Sequence, residues 1–169
     1  MEKQIEIITR EIGNVIEIEE NVSMMKMPQV MGRDLTMITE YMKANNVKCA
    51  EPPYSRYLDI NWKVQMNMSK FANFMAMFTK KWHFMVGMPT SVKMESQGVM
   101  QTGLYPSQRY VKATHFGPYH KVGNTYAEMY KWLTAKGLKA LPESIEFYLN
   151  DPHTVKKEDL ETLVMIPVE

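Results

Sequence analysis

The chain has 169 residues, 45% hydrophobic and 23% charged, with a formal net charge of +1, which suits one globular core and excludes a general electrostatic pull toward nucleic acid. Cys49 stands alone, so no intrachain disulfide forms. No apolar run approaches the ~20 residues that span a bilayer, and the charged start Met1-Glu2-Lys3 lacks the apolar stretch of a signal peptide; a cytoplasmic protein with no membrane contact and no direct nucleic-acid binding is expected.

Two alternating stretches, Gln4 to Thr9 and Asn14 to Glu20, flank the turn Glu11-Ile12-Gly13-Asn14 and predict an opening β-hairpin. Pro28 fits a turn or a first helical turn. Met31, Leu35, Ile38 and Met42 then mark one face of a helix over 30–44, stopped by Asn45-Asn46. After Pro52-Pro53 a strand is expected over 54–62, with Leu58, Ile60 and Trp62 on one face. The stretch 65–78, rich in Met and Phe, has helical spacing at Phe71, Phe74, Met75 and Phe78 but strand-like flanks, and reads as a short helix or an apolar loop. Further strands are expected over 82–88, 92–98 and 103–115. A second helix over 122–135 carries Val122, Tyr126, Met129 and Leu133 on its buried face and ends before Gly137. Strands over 145–149 and 162–168 close the chain. Seventeen methionines, concentrated between Met24 and Met100, suit irregular core filling or an adaptable binding surface.

The chain repeats itself. A constant shift of 91 residues carries Gly32 onto Gly123, Val47-Lys48 onto Leu138-Lys139, Tyr57 onto Tyr148, and one buried helix face onto the other. For the terminal strands, ending at Pro89 and Pro167, the shift falls to 78, which places a 13-residue insertion in the first half between Trp62 and Trp82. The expected fold is therefore α+β: one domain over 1–169 built from a pseudo-two-fold duplication of a strand-helix-strand-strand unit, repeat one about 15–90 and repeat two about 91–169. An antiparallel sheet would carry both helices on one face, with a ligand cleft at the junction.

Within the strand Ile145-Glu146-Phe147-Tyr148-Leu149, alternation sets Ile145, Phe147 and Leu149 against Glu146 and Tyr148. If the apolar set packs on the helix, Glu146 faces either water or a pocket, and an ionised carboxylate buried without a partner would cost several kcal/mol. Four histidines, His83, His115, His120 and His153, lack metal-site spacing, and no P-loop, dinucleotide fingerprint or nucleophile elbow is present. No metal and no cofactor are expected.

His115-Phe116-Gly117-Pro118-Tyr119, Trp132-Leu133 with Gly137-Leu138, Glu146-Phe147-Tyr148 before Asp151-Pro152, the closing Ile166-Pro167-Val168, and Val86-Gly87-Met88-Pro89 in the first half resemble the GyrI-like family. This is the effector-binding domain found on AraC-type and MerR-type transcription regulators and related to the SOUL haem-binding proteins. The resemblance covers essentially the whole chain. It implies a multidrug-type pocket for a lipophilic, aromatic or cationic small molecule, with Glu146 matching the family's strand glutamate and Tyr148 the aromatic that follows it. Tyr57, as the repeat mate of Tyr148, with Tyr119 and Trp82, completes the candidate ligand-binding set, whereas Tyr126 reads as core. No helix-turn-helix segment accompanies the domain, so the resemblance is to stand-alone members. Some of those inhibit gyrase, which implies gyrase or a separate regulator as a protein partner. Others hydrolyse cyclopropane-bearing genotoxins, in which case Glu146 would be catalytic.

Overall fold

The computed structural model describes residues 4–169 and, for Lys70, Phe71 and Phe74, the backbone alone; the predicted roles of the Phe71 and Phe74 side chains lie outside the described residues. Eight strands, β1 (Glu6–Arg10), β2 (Gly13–Ser23), β3 (Tyr54–Tyr57), β4 (Lys81–Pro89), β5 (Met100–Tyr105), β6 (Gln108–Phe116), β7 (Ser144–Tyr148) and β8 (Glu161–Pro167), form one antiparallel sheet in the order β1-β6-β8-β7-β3-β4-β2-β5. Four helices accompany it: α1 (Met27–Ala44), α2 (Trp62–Asn67), α3 (Lys70–Thr79) and α4 (Val122–Ala135). The α+β duplication is realised as β2-α1-β3-β4 and β6-α4-β7-β8, and the two units join where β3 pairs with β7.

The helix ends show how closely the halves agree. At α4, Gly137 takes a φ of 70° and lets the Leu138 amide donate back to the Leu133 carbonyl at 3.0 Å. At α1, Asn46, 91 residues earlier, takes a φ of 55° and lets Val47 donate to Met42 at 2.9 Å. Both are left-handed helix stops of the Schellman kind, tolerated by Gly and, next best, by Asn.

The opening hairpin does not form. β1 pairs with β6 and β2 with β4 and β5, at opposite ends of the sheet. Yet only Glu11 and Ile12 separate β1 from β2, a link that reaches no more than about 11 Å. The sheet must therefore roll until its ends meet. Ile8 of β1, Val15 of β2 and Tyr110 of β6 accordingly share one cluster with Ile145 and Phe147 of the central β7, which marks that face as the concave one. Helices cover the other face: Met129 and Leu133 of α4 pack on Val111, Val164 and Ile166, while Met27 of α1 packs with Phe84 and Val86 and Ile38 with Ile16 and Ile18.

Three further expectations are corrected. The strand expected over 54–62 stops at Tyr57, because Asp59 adopts a positive φ of 55° and the Asn61 side chain then caps α2 by accepting from the Val64 amide. The stretch expected as a strand over 92–98 is irregular apart from a bridge between Gln97 and Met100. The strand expected over 103–115 is broken at Pro106, which has no amide to donate, into β5 and β6. The insertion in the first half folds as the helices α2 and α3; α2 packs on α4 and α3 on the 24–26 turn before α1, so the pair spans the helical face from one half to the other.

Candidate functional site

Across the β3–β7 junction, Ser55 lies opposite Glu146, Tyr54 opposite Phe147, Arg56 opposite Ile145 and Tyr57 opposite Ser144. Ser55 and Glu146 are also repeat mates, 91 residues apart. A cross-strand pair whose members are each other's repeat mates can only sit on the pseudo-two-fold axis, so the axis passes between Ser55 and Glu146, with the mates Tyr57 and Tyr148 on either side of it.

The face assignment is the reverse of the one considered from the sequence: Ile145 and Phe147 point into the concave face, and Glu146 and Tyr148 point toward the helices. Glu146 is 5% exposed. Its Oε1 accepts from the Tyr126 hydroxyl of α4 at 2.9 Å, and its Oε2 lies 3.4 Å from the Tyr148 hydroxyl. That second distance is long for an O–H···O bond, and the single Tyr148 proton has a better acceptor in Ser55 Oγ at 3.0 Å. An ionised carboxylate offers about four acceptor sites; this one holds one good bond, and none of the ion pairs among the described residues includes it. Burial pushes its pKa from 4.5 up to about 7, against the lowering effect of the Tyr126 bond and the nearby Tyr148 hydroxyl.

A second buried glutamate shows the contrast. Glu17, 7% exposed on the concave face, accepts from Tyr54 and Tyr105 at 2.6 Å, and Arg56 donates to Tyr105 at 2.9 Å while its guanidinium stacks 4.7 Å over that ring. Glu17 has its donors and a cation within its network. Glu146 has neither in full.

Around Glu146 the structure gathers Tyr57, whose buried hydroxyl is pushed well up by desolvation and by the Glu146 charge, and Tyr148, raised by burial and by the neighbouring Tyr57 and Glu146 charges. Tyr119 packs edge-on against Tyr148 at 5.5 Å. Trp82 stands behind Tyr57, ring against ring at 6.1 Å, and its Nε1 is buried without a hydrogen-bond partner. Two sulfurs complete the α1 side, Met27 Sδ at 3.8 Å from the Tyr57 hydroxyl and Met31 Sδ at 3.8 Å from Ser55 Oγ.

Sequence reasoning weighed Tyr126 and took it for core, where it does pack, and it missed Trp62. Tyr126 shares the apolar α4 face, but its hydroxyl reaches Glu146 and Ser144; the available signal was its repeat mate Leu35, since a hydroxyl replaces an aliphatic group beside the one half-site that carries a carboxylate. Trp62, expected on a strand, opens α2, packs on Tyr126 at 5.9 Å and donates to the Leu141 carbonyl. It separates the tyrosine cage from an open groove of about 640 Å³ lined by Tyr130, Leu133, Lys139 and Pro142. Among the described residues no cluster of metal-ligating side chains occurs, and no helix is long and apolar enough to cross a membrane.

The family model for the GyrI-like small molecule binding domain matches residues 66–169. The chain belongs to that family. In three dimensions it is similar to the EcmrR C-terminal domain, with a TM-score of 0.73 and 19% identity over 100% of this chain and 99% of that one. It spans 57% of the EcmrR chain seen in a complex with DNA. It is similar, too, to a hydrolase encoded by lin2189 from Listeria innocua (TM-score 0.62, 15% identity, 98% of this chain and 92% of that one), and to SAV2435 bound to tetraphenylphosphonium (TM-score 0.57, 13% identity, 100% and 94%). At these identities the GyrI-like fold is what is shared. No curated protein sequence matches the chain.

Proposed function

We propose that this GyrI-like protein captures a lipophilic, preferentially cationic, aromatic small molecule between α1 and α4, with Glu146 as its counter-charge and Tyr57, Tyr126 and Tyr148 as its walls. The observation that carries the reading is a buried carboxylate with one good hydrogen bond, no cation, and aromatic rings around it. A desolvated organic cation supplies the missing charge, and each ring face adds about 0.5–2 kcal/mol of cation–π attraction. Room for it comes from Met27 and Met31, whose unbranched side chains re-pack at little cost. The neighbour SAV2435, bound to tetraphenylphosphonium, supports this chemistry. Tetraphenylphosphonium is expected to raise the melting temperature in proportion to the logarithm of its concentration. Glu146→Gln should weaken it about tenfold or more, while neutral triphenylphosphine oxide changes little. Equal losses for both compounds would remove the electrostatic role.

A second reading is favoured by the proximity of the Glu146 carboxyl, raised to about 7, to the Tyr148 hydroxyl. Groups so poised suit general acid–base assistance worth about 10²–10⁴-fold: Glu146 takes a proton from water as its oxygen bonds to a cyclopropane carbon, the ring bond breaks toward the conjugated carbonyl, and a tyrosine hydroxyl protonates the resulting enolate oxygen. Ring opening of a duocarmycin-type compound should then be faster with the native protein than with Glu146→Gln. A rate equal to buffer leaves the binding module alone.

A further inference from the structure

The backbone of the β3–β7 junction is two-fold, but its chemistry is not. The anchor and its hydrogen-bond donor on α4 both have uncharged mates in the first half: Glu146 corresponds to Ser55 and Tyr126 to Leu35. Ser55 is 0% exposed, and its hydroxyl meets Tyr148 Oη at 3.0 Å and Met31 Sδ at 3.8 Å, with the Tyr57 hydroxyl beside it. Leu35 and Met31 pack into the apolar cluster of Met27, Phe84 and Val86. The buried carboxylate of α1, Asp34, accepts from Arg33 at Oδ1, and Arg33 also bonds Glu20 on β2, while Asp34 Oδ2 is buried without a partner.

We infer that Ser55 is the specificity residue of this site: as both repeat mate and cross-strand partner of the anchor, it limits the cleft to ligands with one buried positive charge, held toward α4, and turns their apolar part toward Met31 and Leu35 on α1. The inference rests on the proposed ligand reading and deepens it. A second cationic group carried across the axis would leave water for a surface of thioether, leucine and phenylalanine with hydroxyls as its best partners, and an unpaired charge is the least tolerated occupant of such a place. Were residue 55 a second glutamate, two carboxylates would face each other across one rung of the sheet, unfavourable when empty and matched when a dication bridges them.

Two probes of equal span test this by calorimetry: decyltrimethylammonium, with one quaternary head, and decamethonium, with one at each end of the same ten-carbon chain. The native protein is expected to bind the single-headed probe about tenfold or more tightly, because the second head must be buried unpaired or left outside. Ser55→Glu is expected to move the ratio of the two affinities about tenfold or more toward decamethonium, and its melting temperature, lowered without ligand, should rise more with decamethonium than with the single-headed probe. Equal affinities in the native protein overturn the inference, as does a ratio that Ser55→Glu fails to move. If Ser55→Glu does not fold, Ser55→Asp takes its place, and the native ratio decides by itself in either event. Glu146→Gln separates the two levels: loss of the single-headed probe in that variant together with a native ratio near one keeps the ligand reading and removes the role of Ser55, whereas binding that is absent from the native protein, or indifferent to Glu146→Gln, removes both.

Discussion

At pH 8 the ligand-free Glu146→Gln variant is expected to melt roughly 5–10 °C above the native protein, and to have lost the response to tetraphenylphosphonium. The carboxyl titrates at 4.5 in the unfolded chain and about 7 in the fold. A group whose pKa is raised on folding favours the folded state at pH below 4.5, where it is protonated in both states. That contribution falls away as pH rises toward 7, because the unfolded chain ionises freely and the fold must either hold the proton or bury the charge. Above about 7 the folded protein carries a buried, under-bonded anion, and the full difference, about 3 kcal/mol on the interval from 4.5 to 7, has been lost. The glutamine side chain of the variant does not titrate, and its amide can donate to the Ser55 and Ser144 hydroxyls that already lie beside the site. The advantage of the variant should therefore shrink between pH 7 and pH 5 and vanish near pH 4.5. Melting curves of both proteins over about pH 4.5–8.5 check this, and a difference independent of pH would mean that Glu146 is not the buried ionisable group the geometry makes it. On the proposed reading, the stability forgone at Glu146 is the cost of a site that takes a cation.

The sequence carried this site further than it carried the sheet. Alternation left Glu146 facing either water or a pocket; the resemblance to the GyrI-like family singled out Glu146 and Tyr148, and the 91-residue repeat made Tyr57 the counterpart of Tyr148. What alternation cannot tell is which of its two sets the helices cover, so packing of Ile145 and Phe147 on a helix stood only as a condition, and the structure has them line the concave face. Nor can local pattern reveal that β1 crosses to β6; the partner lies about a hundred residues away, and only the roll of the whole sheet brings it to the end of a two-residue link. Trp62 was hidden by a single backbone torsion at Asp59, which turns an apparently continuous alternating strand into a helix start.

Gly87→Ala is expected to cost about 1–3 kcal/mol or more, the range of overpacked cores, although the substitution adds one methyl group to a strand that would otherwise tolerate it. The Cβ would lie 2.6 Å from both Cζ and Oη of Tyr54 and 3.0 Å from the Glu17 Cβ. Tyr54 cannot yield: its ring is fully buried, packed at 5.5 Å on Phe147 and 6.4 Å from Tyr105, and its hydroxyl donates to Glu17 at 2.6 Å. Any shift of the ring loosens the bond that satisfies a buried carboxylate, so steric and polar costs arrive together. Gly32→Ala on α1 supplies the opposite sign. No atom lies within 4 Å of its added Cβ, and Ala in a helix interior is favoured over Gly by about 0.5–1 kcal/mol. Urea unfolding of the two variants should place the midpoint of Gly87→Ala below that of the native protein and the midpoint of Gly32→Ala at or above it, with unchanged slopes. A Gly87→Ala midpoint equal to the native one would mean that Tyr54 has somewhere else to go, and that the close approach of β4 to its ring is not what holds the concave face together.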